Sequence, residues 1–324
     1  MPGRLATTTD IAADSTGAPP GSRRYGGRVR IVSLLPSATE ILFALGAGEQ
    51  VVGVTFECDY PPEARQRRIV STSALPSTSD PAEIDRLVAE RMAAGEDLYR
   101  LDQDALADLN ADLVVTQDLC AVCAVDVSEV HDALDYLGCR AEVLTVDPHR
   151  LTEVLDSIRT LGEVTGTASR ADELVAALTT RLDTVRAAVA GQPPVPTLVL
   201  EWTDPPFAPG HWVPDLVTAA GGVNVLGSAG QDSFRTTWEQ VTASRPEVIV
   251  CAPCGFGLAD SYRLAEQVVA QGVLPEGVPV WAVDANASFA RPGPRLVDGV
   301  EALAGILHPD VAGPPDPAMA RRVR

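Results

Sequence analysis

The strongest constraint on this chain is a long helical stretch set between two runs of alternating strand and helix. From Leu151 to about Ala190 only a weak interruption at Thr165–Thr167 opposes a helix. Leu151, Val154, Leu155, Ile158 and Leu161 recur there at helical spacing. Gly191, Pro193, Pro194 and Pro196 close the stretch. Before it, strands are expected at Arg30–Leu34, Val51–Val54, Ile69–Val70, Leu113–Thr116 and Ala141–Leu144. Helices are expected at Ala38–Leu45 (Ser37 as N-cap, Glu40 at the capping-box position), Pro81–Ala94, Asp104–Leu109 and near Val127–Leu137. After it come strands at Thr197–Leu200, Glu247–Val250 and Val278–Val283. Helices are expected there at Pro214–Ala220, Thr237–Ser244 and Pro294–Leu307. Such alternation predicts parallel sheets. The fold class is α/β, with two Rossmann-like lobes joined by one long helix. The lobes span 29–150 and 193–310, and the linking helix spans 151–192. Residues 1–28 read as a disordered arm and 311–324 as a disordered tail.

Charge narrows the partners. A formal net charge of −19 and a pI near 4.5 exclude nucleic acid and anionic membrane surfaces as expected partners. No segment has the roughly 18–20 continuous apolar residues of a membrane span. Met1–Arg30 has no apolar core of the kind a secretory leader carries. The expectation is a cytoplasmic protein with its six cysteines reduced.

Ligands of open α/β sheets bind beyond the carboxyl ends of the strands. Two Cys-x-x-C pairs fall at such places: Cys120-Ala-Val-Cys123 after Leu113–Thr116, and Cys251-Ala-Pro-Cys254 after Val248–Val250. Thiolates at that spacing suit zinc or nucleophilic chemistry. Cys120, Cys123 and Cys254 are therefore candidate metal ligands, with Cys58 and His211 as further members. Cys251 continues a strand and reads as core, and Cys139 reads as structural. Glu57 and Glu201 each follow a strand, one per lobe, where a carboxylate suits a polar ligand, a metal or general-base work. Phe207 and Trp212 offer stacking surfaces, and Asn286 offers hydrogen bonds. Arg291 and Arg295 flank Pro292-Gly293-Pro294 in an anion-friendly corner, with a salt bridge as the other use of Arg295. His131, His149 and His308 read as surface or capping residues. No Walker A loop, dinucleotide fingerprint, zincin motif or nucleophile elbow is present.

The segments that carry these groups also resemble a known family. Ile31-Val32-Ser33-Leu34-Leu35-Pro36-Ser37-Ala38-Thr39-Glu40 resembles the first strand–helix unit of the periplasmic vitamin B12-binding proteins and their iron-siderophore relatives. So do Val51–Val54 followed by Cys58-Asp59-Tyr60-Pro61-Pro62, Asp204-Pro205-Pro206-Phe207, Ala220-Gly221-Gly222 and Arg291-Pro292-Gly293-Pro294-Arg295. The likeness spans about 28–310. It implies a class III periplasmic-binding-protein architecture, with a ligand between two lobes and small closure motions. It also implies a cobalamin, corrinoid or other metal-chelate ligand. An ABC permease is implied as a partner if the chain is exported. Three stretches depart from the family pattern: Ser71-Thr72-Ser73-Ala74, Gln117–Cys123 and Asn286–Phe289. Pro81–Ala94 is an insertion relative to the minimal lobe. These departures keep a second reading open, a metal- or thiol-dependent cytoplasmic enzyme centred on Cys120, Cys123, Cys254, Glu57 and His211, with zinc the metal that suits such ligands.

Overall fold

The computed structural model describes residues 29–117, Val130, Leu134 and 141–324. Two sheets organise it. The N-terminal sheet has the order β4-β3-β2-β1-β5-β6, built from β1 (Ile31–Ser33), β2 (Val51–Thr55), β3 (Arg68–Ser73), β4 (Tyr99–Leu101), β5 (Leu113–Thr116) and β6 (Glu142–Thr145). All neighbours are parallel except β3 and β4. Parallel strands covered on both faces need continuous apolar runs, and Ile31–Ser33 and Leu113–Thr116 are buried at every position.

The C-terminal sheet follows the same logic. Its strands are β7 (Val195–Leu200), β10 (Gly222–Asn224), β12 (Val248–Cys251), β13 (Val280–Val283) and β14 (Ala320–Arg322), in the order β10-β7-β12-β13-β14. A small antiparallel sheet, β11-β9-β8, grows out beyond β7 from β8 (Trp202–Thr203), β9 (Pro206–Ala208) and β11 (Phe234–Arg235). Its strands are two or three residues long, too short to carry a legible alternation.

Two stretches expected from the sequence come out differently. The linker is two helices, Leu151–Val164 and Ala168–Val189, because Gly166 takes a left-handed φ of 71° and the chain turns there. The two helices pack so closely that a Cβ on Gly162 would stand 2.4 Å from the Cβ of Ala171. The second helix crosses between the lobes. Its Arg170 donates to the Leu45 carbonyl in the first lobe, and Arg181 pairs with Asp298 and Glu301 on the last long helix, Leu296–Leu307.

The second correction concerns the tail. Residues 311–324 do not hang free: β14 pairs antiparallel with β13, Ala320 is buried, and Arg324 donates to the carbonyls of Pro275 and Val278. The strand covers the edge of β13, which would otherwise present open hydrogen-bonding groups. The helix expected near Val127–Leu137 lies mostly outside the described residues; Val130 and Leu134 are buried.

A chain ending at Asp316 is expected to melt about 5 °C or more below the full chain and to aggregate on heating through the bared β13 edge. Differential scanning calorimetry with light scattering checks this. An unchanged melting temperature would return the tail to a passive role.

Candidate functional site

The loops at the carboxyl ends of β1, β2, β7, β12 and β13 meet at the lobe boundary. Their meeting point is built on one carboxylate. Glu40 sits in the helix Pro36–Ala44 and is 3% exposed. The sequence suggests a capping-box role for it. The helix instead begins after Leu35 with a proline in its first turn and no side-chain cap. Glu40 is thereby free to reach the other lobe. It accepts hydrogen bonds from Arg291 Nη1 at 3.2 Å and Arg295 Nε at 2.9 Å, and pairs again with Arg295 Nη2.

Arg291 is the more deeply placed arginine. Its Nη1 also reaches Asp59 Oδ1 at 2.5 Å, and its Nη2 donates to the Glu57 carbonyl at 3.0 Å. Burial works against its charge, but Asp59 and Glu40 more than offset that and hold the guanidinium ionised. Arg295 lies over the Tyr60 ring, 4.1 Å from its centre. Arg291, expected at an anionic ligand, instead pairs with the carboxylates of Glu40 and Asp59, and Arg295 makes the salt bridge that was its other expected use.

Around this node stand the remaining candidates. Glu57 is half-buried, and its Oε2 accepts a hydrogen bond from Tyr99 at 3.0 Å. Burial pushes its carboxyl above the usual 4.5, against the pull of Tyr99 and Arg291. On the facing lobe, Glu201 Oε1 accepts from the Gly210 N–H at 3.2 Å, and its carbonyl accepts from Cys254 N–H. Its own N–H donates to the Phe207 carbonyl, and the Asn286 N–H donates to the Phe256 carbonyl. Glu201, Phe207, Cys254 and Asn286 are therefore gathered in one place. Cys254 is exposed there.

Other candidates are spoken for. Trp212 is 7% exposed and its indole N–H donates to the Phe289 carbonyl at 2.7 Å, so it props the loop that leads to Arg291. Cys58 is buried with its sulfur 3.0 Å from the Thr39 hydroxyl, and burial pushes its thiol up to about 12. Cys251 is fully buried and likewise pushed up to about 12. A thiol held that firmly protonated is a poor metal ligand or nucleophile.

His211 is held at a left-handed φ of 47°. It lies between two close backbone crossings: a Cβ on Gly210 would stand 2.2 Å from the Ser233 nitrogen, and one on Gly227 would stand 2.0 Å from the Pro209 oxygen. Its ring sits 5.9 Å from that of His149, which reaches it from the first lobe. Nε2 lies 3.4 Å from Asp232 Oδ1, an ion-pair approach without the alignment of a hydrogen bond. Burial lowers its basicity below the usual 6.5. Among the described residues no three ligating groups gather into a metal centre. Cys120 and Cys123 lie outside the described residues.

The structure adds aromatic groups that the sequence reading passed over. Phe56, 37% exposed at the end of β2, sits 6.1 Å from Tyr99. Trp202, which opens β8 just past β7, sits 5.7 Å from Phe256 in the loop after β12. Each pair comes from a different lobe. A strand-end position was the available signal for Phe56 and Trp202. Tyr99 and Phe256 become neighbours only through the fold.

Two α/β lobes, strand-end ligand groups on both and helices crossing behind them define a two-lobed ligand-binding protein. The chain belongs to the periplasmic binding protein family, whose model matches residues 31–275, and its fold is the class III type. Its relatives include the uncharacterized ABC transporter substrate-binding lipoprotein YvrC of Bacillus subtilis (strain 168). That protein is 26% identical over 293 residues, covering 87% of this chain and 80% of the relative. The vitamin B12-binding protein of Vibrio cholerae serotype O1 is also 26% identical, over 281 residues that cover 86% of this chain and 88% of that one. Among solved structures, the periplasmic heme-binding protein RhuT of Roseiflexus sp. RS-1 matches with a TM-score of 0.62 at 23% identity. That match covers 88% of this chain and 100% of that one.

These comparisons correct the cytoplasmic placement. The family is one of periplasmic binding proteins and the Bacillus relative is a lipoprotein, so kinship points outside the cytoplasmic membrane. A reducing compartment, which favoured zinc thiolates, is then no longer expected. No helix among the described residues is long and apolar enough to cross a membrane.

The raised Glu57 carboxyl makes a pH prediction. A folded state that keeps a proton the unfolded chain has lost becomes less stable as pH rises above 4.5. Glu57→Gln, which accepts the same Tyr99 hydrogen bond, is expected to melt above the wild type at pH 7 and level with it at pH 4. A Gln variant that melts lower at pH 7 would mean the ionised form is the one the fold favours.

Proposed function

We propose that this chain is the substrate-binding component of an ABC transporter and that it takes a planar, metal-chelated tetrapyrrole of the corrin or porphyrin type between its lobes. The observation that carries the reading is the pair of aromatic clusters at the boundary, Phe56 with Tyr99 on one side and Trp202 with Phe256 on the other. Large flat ligands gain most from rings that offer area at low conformational cost. The half-buried carboxyls of Glu57 and Glu201 and the side chain of Asn286 stand beside them and suit the amide or carboxyl rim of such a macrocycle. The vitamin B12-binding protein of Vibrio cholerae and the heme-binding RhuT support the class of ligand. A permease partner follows from the transporter role of the Bacillus relative.

The zinc- or thiol-enzyme reading is not carried forward. Its described members, Cys254, Glu57 and His211, build no such centre: among the described residues no three ligating groups gather, and Cys254 is exposed.

The test is a titration of the purified protein with cyanocobalamin, dicyanocobinamide and hemin, followed by absorption spectroscopy and calorimetry. At least one is expected to bind with a 1:1 stoichiometry. Trp202→Ala is expected to weaken that binding by about tenfold or more. If all three fail to bind below about 100 μM, the ligand class is wrong.

A further inference from the structure

The helix Pro81–Ala94 hangs between β3 and β4. That is the edge of the sheet opposite β6, from which the chain departs toward the crossing helices. Asp80 caps its start and Gly95, at a left-handed φ of 67°, closes its end. Of its residues only Pro81 is buried. Val88 packs on the first lobe's core, but with so little apolar face the helix gains little there, so its position depends also on other contacts.

Two such contacts reach the opposite lobe. Asp85 takes Arg235 Nη2 at 2.7 and 2.9 Å through its two oxygens. The Pro81 carbonyl accepts the indole N–H of Trp202 at 3.2 Å. Arg235 lies on β11 and Trp202 on β8, so both anchors belong to the small antiparallel sheet. We propose that this helix is a strap across the mouth of the cleft, on the side away from the crossing helices, and that its release gates ligand exchange. The gating half rests on the reading of the cleft as the ligand site.

Trp202 makes the coupling physical. One face of the residue's environment is the aromatic pair with Phe256, and its N–H holds the strap. Moving the indole to admit a ligand loosens Pro81. The N–H also lies 3.1 Å from the Asp204 carbonyl, so letting go of Pro81 leaves no orphaned donor. The ion pair is equally ready to part: the side chain of Asp85 is 19% exposed and that of Arg235 is 55% exposed. Exposed pairs of this kind hold weakly and are screened by salt. The strap is thus reversible, whereas the Glu40 node is buried.

The experiment has a ligand-free arm and a ligand arm. In the first, hydrogen exchange of the 81–94 and 234–235 amides is compared between the full chain and its Asp85→Asn variant. Exchange is expected to rise about three- to fivefold in both segments, and raised salt is expected to do the same to the wild type. The charge-reversed pair Asp85→Arg with Arg235→Asp is expected to restore protection. Unchanged exchange in Asp85→Asn would overturn the strap. In the second arm, stopped-flow binding of cyanocobalamin and hemin is expected to show association and dissociation faster by a similar factor in Asp85→Asn, with Kd unchanged. A probe that binds with unaltered rates overturns the gate and leaves the ligand class standing. If neither probe binds, the ligand class falls and the gate falls with it, while exchange still decides the strap.

Discussion

Everything about the cleft depends on a carboxylate that water barely reaches. Glu40 belongs to the first helix of the first lobe, yet its partners, Arg291 and Arg295, come from the far end of the chain. Withdrawing such a group from water is costly and is offset only when each oxygen finds charged donors. Arg291 extends the node to Asp59 and to the Glu57 backbone. The loop that carries Glu57 and the loop that leads to Asn286 are thereby fixed to each other before any ligand arrives. With the lobes together, a buried carboxylate stripped of its arginines would cost more than no carboxylate at all.

That constraint sorts the remaining bridges by strength. Behind the cleft, the helix Ala168–Val189 is tied to one lobe through Arg170 and to the other through Arg181. At the β6 side, Arg150 forms a two-bonded pair with Asp215, and His149 stacks near His211. At the far side, among the described residues, an exposed ion pair and one shared indole hydrogen bond cross. The boundary is thus held firmly on one side and lightly on the other, and the proposed strap rests on that asymmetry.

Much of this was legible before the structure. Buried parallel strands announce themselves by apolar runs, and Ile31–Ser33, Leu113–Thr116 and Val248–Cys251 lie where the runs predict. The strand-end rule singled out Glu57, Glu201 and Cys254, and backbone hydrogen bonds bring Glu201 and Cys254 together. It could not say what each side chain would touch. Glu40 fits a capping box by spacing, and only the tertiary fold shows that its partners lie 251 and 255 residues away. Trp212 has the look of a ligand platform in sequence, but its indole N–H is consumed by Phe289. The tail, 311–324, reads as disordered, and its pairing with β13 depends on an open edge that no local pattern displays. The compartment was misjudged because a missing leader pattern is silent, whereas kinship is not.

Equilibrium urea unfolding of Glu40→Gln tests the central claim most directly. The variant keeps the shape of the side chain and removes the charge that both arginines share. A loss of about 3–5 kcal/mol relative to the wild type, with the unfolding slope unchanged, is the result the buried node predicts. A loss below about 1 kcal/mol, in the range of an exposed pair, would show that the lobes are held together by something else.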